Sequence, residues 1–598
     1  MGAAGEDTNS AGAPGSGGTP GEGRPAAEAG APQPPAERRG PARLLPRERR
    51  GRIALAAILL VGLASGLMLQ NWSDNQTSHY DLIRALDAGR TTIDKGPYPT
   101  KDEAYYHGHW YSARAPGLAL FSLPFYETIN ALQAPRVARS SPALRGEDEM
   151  IDFVGWWGSV LPAFLLVLLV WRVAERFEPG YGAAAAIALG LGTMVLPFST
   201  LLFSHVFSAM LGFAAFALLL RERDGPQRPL LLAAAGLLLG YAITSEYPLA
   251  FAAVVLGLYA LSRPDSLRPL AMASRAGMLL LGAFVGIVPL LLYNHAAFDS
   301  WTHLAYSNIP QQHRGFFGIS APSPRVFVTL LLDSRGLLTL SPILIMGALG
   351  TVLLYRRGRR AEALAITGVC ACYAIYNSGY YLPFGGGAPG PRFMITLLPF
   401  LACPLGLALR RWPGPTIALA GISIVAWTLV TITHPLVGYE NETAVWTRLL
   451  SKGEFQPTIA TALGAGRGWG GVWPFLLAVG GAVVLAAAAT PRLRLTTAAV
   501  GAGVLAALAW ALFSALGPTA LGIDHQGLLS IVKAGDDTAL NLTLHNGARY
   551  PLTRLTVYCG LAGVLSLAAM WLWRRERGGG EAATPAPGVR TPSAVGAA

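Results

Sequence analysis

The sequence predicts an all-α protein that crosses a membrane about fourteen times, or twelve if one short hairpin at 230–261 is re-entrant. Three observations carry that expectation. Of the 598 residues, 52% are hydrophobic and 13% charged, with a mean hydropathy of +0.41. Soluble domains carry about 25% charged residues, so a water-exposed surface of ordinary polarity cannot be built from this chain. The hydrophobic residues also lie in long runs, and arginine gathers where those runs end.

Taken in order, residues 1–48 are rich in Gly, Ala, Pro and Glu without periodicity. They bury too little apolar surface to offset their ordering entropy and read as a disordered cytoplasmic tail, as do residues 578–598. The expected spans are 53–70, 154–171, 182–201, 206–220, 230–244, 249–261, 277–292, 337–355, 363–380, 393–409, 416–433, 472–490, 495–516 and 555–573. With the N-terminus in the cytoplasm, alternate connections become "RVAER", "RERDGPQR", "SRPDSLRPLAMASR", "RRGRR", "RRW", "PRLR" and "RRER". Each is a basic cluster against a span end, which the positive-inside rule places in the cytoplasm. The +12 charge is therefore a topology signal, and no zinc-finger spacing or basic helix argues for nucleic acid. Both termini are expected inside, in a plasma (inner) membrane.

The four cysteines, Cys370, Cys372, Cys403 and Cys559, fall inside apolar runs and read as small packing residues rather than as disulfides or zinc ligands. No phosphate-binding loop, dinucleotide fingerprint or nucleophile elbow occurs, so a nucleotide-bound donor is not expected. Function is sought in four large external loops, near 71–152, 295–336, 434–471 and 517–554. The last contains "TALNLTLHNGARYPLTRL", whose alternation around Asn-Gly predicts a β-hairpin. The first is the longest. "SHYDLIRAL" has helical character, "LDAGRTTIDKGPYPTKD" is turn-rich, and after Pro116 the segment "LALFSLPFYETINAL" reads as an amphipathic helix in the outer membrane interface.

This first loop resembles that of the GT-C superfamily of multi-spanning glycosyltransferases. Relatives there include the protein O-mannosyltransferases, the lipid A aminoarabinose transferase and bacterial RgtA/B/C/D-like membrane transferases. The resemblance rests on Asn75 and Ser78, Ile93-Asp94, Thr100 with Asp102, and "GHWYSARAPG" at 108–117. It continues in "LLFSH" ending at His205, "SRGLLTLSP" at 334–342 and "NSGYYLPFGGGAPGPRF" at 377–393. Arg114 stands where relatives often have lysine, and nothing after Thr416 adds to the likeness. It implies a GT-C-like catalytic module over 49–435, followed by C-terminal helices and two external loops over 436–577. It also implies sugar transfer from a polyprenyl-phosphate donor to a glycan, lipid or protein acceptor of the envelope, on a catalytic carboxylate in the first loop.

That chemistry needs a base for the acceptor hydroxyl and a cation for the leaving phosphate. Asp102, Asp94, Asp74 and Asp81 are the candidate bases; position after the first span favours Asp74 or Asp81, whereas the motif favours Asp94 and Asp102. Asp94, before "KGPYP", equally suits a turn. Arg114, Arg392 and Arg335 are the candidate phosphate ligands, against the plainer reading of headgroup snorkelling. His109, Tyr111 and Tyr106, with Tyr105 and Trp110, are expected to bind sugar or to form an interfacial belt. His205 and Glu246 are expected to line the donor cavity or to cap span ends. The acidic loop leaves room for a divalent metal, with no firm ligand set. The competing class is a polytopic transporter or lipid-linked glycan flippase, which would carry charges within spans or repeated halves.

Overall fold

A computed structural model describes residues 48–96, 100–132, 150–264, 268–313, 315–436, 442–516 and 553–579. The expected terminal tail at 1–48 and the hairpin expected near 517–554 lie almost wholly outside these residues, as does most of the tail after 578. Every expected span falls largely on helix, but not all fourteen are single, regular helices. Eight described helices are long and apolar enough to cross a membrane, or ten if two bent pairs each count as one. The difference has local causes. The run 182–201 forms only Gly182–Gly192 before Thr193 turns extended. Pro324–Leu340 and Ile343–Arg356 meet at 89°, and Arg392–Ala402 meets Leu405–Arg411 at 56°. Pro342 and Pro404 stand at these two breaks, where a missing N–H and a fixed φ interrupt a helix.

Helices Pro229–Ser245 and Pro269–Phe298 pack backbone against backbone. A Cβ on Gly236 would lie 2.0 Å from Leu279 O, and one on Gly240 2.1 Å from Ala283 O. On the partner helix, a Cβ on Gly282 would lie 1.9 Å from Ala233 O, and one on Gly286 2.4 Å from Leu237 O. This is mutual small-residue packing of the kind membrane helices use. The contacts advance together along both chains, so the two helices run parallel, and Leu249–Leu261 between them carries the chain back. The first of the pair has 17 residues, about 25 Å at 1.5 Å per residue. Elsewhere Trp469–Ala489 lies along Arg49–Leu67, and Leu69 N–H donates to Pro457 O at 2.9 Å. The described chain from Arg47 onward forms one compact unit.

The arginine-rich connections meet at one end of this unit. Glu178 pairs with Arg357 and Arg410, and Asp224 pairs with Arg359. Buried Glu222 accepts from Arg263 at 2.9 Å and from Arg275 at 2.7 and 2.8 Å. Gly180 abuts Pro491, and Tyr181 feels the charge of Arg574. Segments widely separated in sequence thus share one face, as expected of clusters on one side of a membrane.

The first loop lies elsewhere. Ser73 and Gln76 form a capping box that starts helix Asp74–Asp87. Strands Glu103–Tyr106 and His109–Ser112 pair antiparallel with Tyr106 opposite His109. Their two-residue turn, His107-Gly108, has positive φ at both positions (48° and 88°), as a tight hairpin requires. Helix Gly117–Leu132 follows. Its Phe121 stacks on Phe207 at 4.5 Å, and Phe125 on Trp157 at 5.2 Å. The segment expected to lie on the bilayer surface is therefore also docked onto spanning helices.

Candidate active site

Gly117 sets the position of the loop. A Cβ there would lie 2.4 Å from Ser245 Oγ and 2.7 Å from Ser245 Cα, and Tyr241 O–H donates to Gly117 O at 3.0 Å. Only a glycine lets the "APG" segment reach the end of helix Pro229–Ser245, whose next residue is Glu246. Three positions earlier, Arg114 pairs with the Asp102 carboxylate. With the Asn75 amide oxygen turned toward it, Arg114 also donates Nε at 3.0 Å and Nη1 at 3.2 Å. Although burial opposes it, the charge of Asp102 holds the Arg114 pKa above its ordinary value.

Three chain segments from the spanning helices bring charged groups within electrostatic range of this pair. His205, at the start of Ser204–Arg223, presents Nδ1 to Glu246 Oε1 at 2.5 Å. Ser208 O–H donates to the other Glu246 oxygen at 2.8 Å. Arg392 is buried, with its guanidinium 5.4 Å from the ring centroids of both Phe203 and Phe393. The His205 imidazole contacts the same two rings at 5.9 and 5.5 Å, so one aromatic pair positions both groups. Gly385 (φ 80°) makes room for Arg392, since a Cβ there would fall 2.4 Å from its Nε. The charges of Arg114, Asp102 and Glu246 all act on Arg392. Tyr306, packed edge-on against Tyr247 at 5.1 Å, feels Arg114, Glu246 and Arg392 alike.

The other candidates are placed differently. Asp94 accepts from Trp110 N–H at 2.6 Å and contacts His109 Nδ1 at 2.8 Å. Although its slight burial pushes the other way, these hydrogen bonds hold its pKa below the usual value; its geometry is that of a hairpin brace. Exposed Asp74 accepts from Lys101 N–H at 3.1 Å. Asp81 is buried against Gly96 and its Oδ1 has no partner among the described residues. Burial pushes its pKa from 3.8 up to about 7. Arg335 donates to Ala388 O at 3.1 Å and lies over the Phe384 ring, bracing the loop that precedes Arg392. The expected aromatic wall divides between the two hairpin faces. Tyr105 and Trp110 pack together and stay exposed, while Tyr106 and Tyr111 turn inward onto Phe298.

The sequence reading passed over His79. It lies one helical turn beyond Asn75, the residue that holds Arg114, so a period-of-four scan from Asn75 would have found it. It is fully buried. Burial, together with Arg114, His205 and Arg392, holds its pKa well below the ordinary value. Among the described residues no group of three or more His, Cys, Asp or Glu side chains is arranged to hold a metal.

Fold and site define a multi-pass membrane protein whose charged and aromatic groups converge at the first loop, away from its arginine-rich connections. Residues 150–378 match the sequence model of glycosyltransferase family 87. That match covers well under half of the chain, and it agrees with the resemblance of the first-loop motifs to the membrane glycosyltransferases of the GT-C superfamily. No curated protein sequence is similar enough to match it. Among solved structures it is similar to Cupriavidus metallidurans ArnT bound to undecaprenyl phosphate, at 14% identity over 88% of this chain and 78% of that one, with a TM-score of 0.39. Apo ArnT gives 14% identity, 87% and 76% coverage, and a TM-score of 0.39. The apo Archaeoglobus fulgidus oligosaccharyltransferase gives 13% identity, 72% and 56% coverage, and a TM-score of 0.35; the chain spans little more than half of that protein.

Proposed function

We propose that this chain is a membrane glycosyltransferase of the GT-C kind that takes a sugar from a polyprenyl-phosphate donor and passes it to an envelope glycan, lipid or protein hydroxyl at the outer face of the inner membrane, with both termini cytoplasmic. One observation carries the reading: the contact of Gly117 with Ser245 brings the Asp102–Arg114 pair of the first loop near enough to Arg392, His205 and Glu246 for their charges to interact. A lipid-anchored phosphate needs a site where loop meets membrane, and cations converging there suit its charge. Of the four candidate aspartates, Asp102 alone pairs with one of these cations, so we assign it the role of base.

In this mechanism the acceptor oxygen attacks the anomeric carbon while the Asp102 carboxylate takes the hydroxyl proton. The bond from the anomeric carbon to the phosphate oxygen breaks, and its electron pair leaves with the phosphate. Arg114 and Arg392 stabilise that departing charge, and Arg335 keeps the Arg392 loop in place. Arginine's fork fits phosphate oxygens better than a lysine ammonium does.

The test is donor turnover by the purified protein in lipid nanodiscs, with Asp102, Asp94, Asp74 and Asp81 each replaced by alanine. The reading expects loss at Asp102; full activity in all four variants defeats it. Glycan mass spectrometry of a deletion strain would identify the product. Labelling of cysteines placed in loop 71–152 with an impermeant reagent tests sidedness: labelling only after cell breakage overturns the outer-face assignment.

A further inference from the structure

His79 poses a physical problem that the reaction scheme leaves open. Its side chain is wholly buried, and neither Nδ1 nor Nε2 has a hydrogen-bond partner among the described residues. An unsatisfied buried polar group costs about 1–3 kcal/mol, and a leucine or methionine would fill similar space at no such cost. The surroundings are specific. Asn75, four residues earlier on the same helix face, holds Arg114. Arg114, His205 and Arg392 are all close enough for their charges to act on His79. Two further buried nitrogens of this cluster, His205 Nε2 and Arg392 Nε, also lack partners among the described residues. His79 belongs to the loop, and His205 and Arg392 to the spanning segments, so the unpartnered nitrogens come from both.

A neutral imidazole offers one N–H and one lone pair. Buried and within range of two guanidinium charges, the neutral form is the one that suits. A glycosyl phosphate presents the complementary pair: non-bridging phosphate oxygens that accept, and sugar hydroxyls that donate. Resting on the lipid-phosphate reading above, we propose that His79 is a donor-binding residue, hydrogen-bonding the phosphate and an adjacent sugar hydroxyl beside the Asn75–Arg114 contact. Donor binding then ties the first loop to the spanning helices through a single ligand group.

The experiment measures binding of a polyprenyl monophosphate to the full chain in nanodiscs, with apo melting temperature read in parallel. In His79→Leu, binding weakens about tenfold, the equivalent of one lost buried hydrogen bond, while the apo protein melts at the same temperature or higher. His79→Gln, which keeps a donor and an acceptor, binds within about threefold of wild type. Wild-type affinity in His79→Leu overturns this inference and leaves the donor reading standing. Weaker binding with lower melting in both variants makes His79 a packing residue and likewise overturns it. A wild-type protein that does not bind polyprenyl monophosphate, or binds inorganic phosphate equally well, removes the lipid-phosphate reading and this inference with it.

Discussion

Replacing Asp102 by asparagine separates catalysis from architecture, because the structure fixes residue 102 by its backbone. Its carbonyl accepts from Ser78 O–H at 2.6 Å and from Ala113 N–H at 3.0 Å, and its N–H donates to Thr100 Oγ1 at 3.1 Å. None of these bonds uses the carboxylate. The amide of Asp102→Asn still offers Arg114 an acceptor, and Asn75 continues to hold the guanidinium from the other side. Trading a charge-assisted bond for a neutral one costs about 1–2 kcal/mol, so the variant should fold and insert. If Asp102 is the base, kcat falls by about two to four decades with little change in donor KM. If it only positions Arg114, Arg114→Met should reproduce the loss and the double variant should lose no more than either single one. Initial rates with a saturating acceptor and varied donor, on both single variants and the double, discriminate the two. Wild-type kcat in Asp102→Asn would refute the assignment.

Three further outcomes are expected. Gly117→Val should displace the loop from Ser245, since a Cβ there falls 2.4 Å from Ser245 Oγ; overpacking of this kind costs about 1–3 kcal/mol, read as a lower melting temperature and reduced turnover. Glu222→Gln leaves Arg263 and Arg275 buried against a neutral partner and should destabilise the protein by about 3–5 kcal/mol, measured by thermal unfolding in nanodiscs. Asp81 carries a native pKa raised from 3.8 to about 7, so between those values the native state holds a proton that the unfolded chain has lost. Its contribution to stability is full below pH 3.8 and is lost as pH rises to about 7. Asp81→Asn, which stays neutral, should therefore gain on wild type across that window by up to a few kcal/mol, and equal melting temperatures at pH 5 and pH 8 would contradict this.

Much of the membrane architecture was legible because its signals are local. Apolar runs marked helices, and arginines at their ends marked one face, which the pairs of Glu178 with Arg357 and Arg410 bring together. The breaks at Thr193, Pro342 and Pro404 were not read, because an apolar run stays apolar through a bend. Within the candidate site, motif reading reached Asp102, Arg114, Arg392, His205 and Glu246 singly. It also named Asp94, which bonds to Trp110 and His109 within the hairpin, and did not name His79. A carboxylate in a turn and one beside a buried arginine look alike in sequence, since the difference lies in the partner.

By itself, then, the sequence determined that this chain is helical, lies in a membrane and gathers its polar residues in loops, since hydrophobicity and charge act over one or two turns. Only the tertiary structure decided which polar residues face one another. Glycine contacts between Pro229–Ser245 and Pro269–Phe298, and Gly117 against Ser245, set backbone approaches too close for any side chain. The approach of Gly117 to Ser245, more than a hundred positions apart, brings Arg114 and Asp102 within electrostatic range of Glu246, His205 and Arg392.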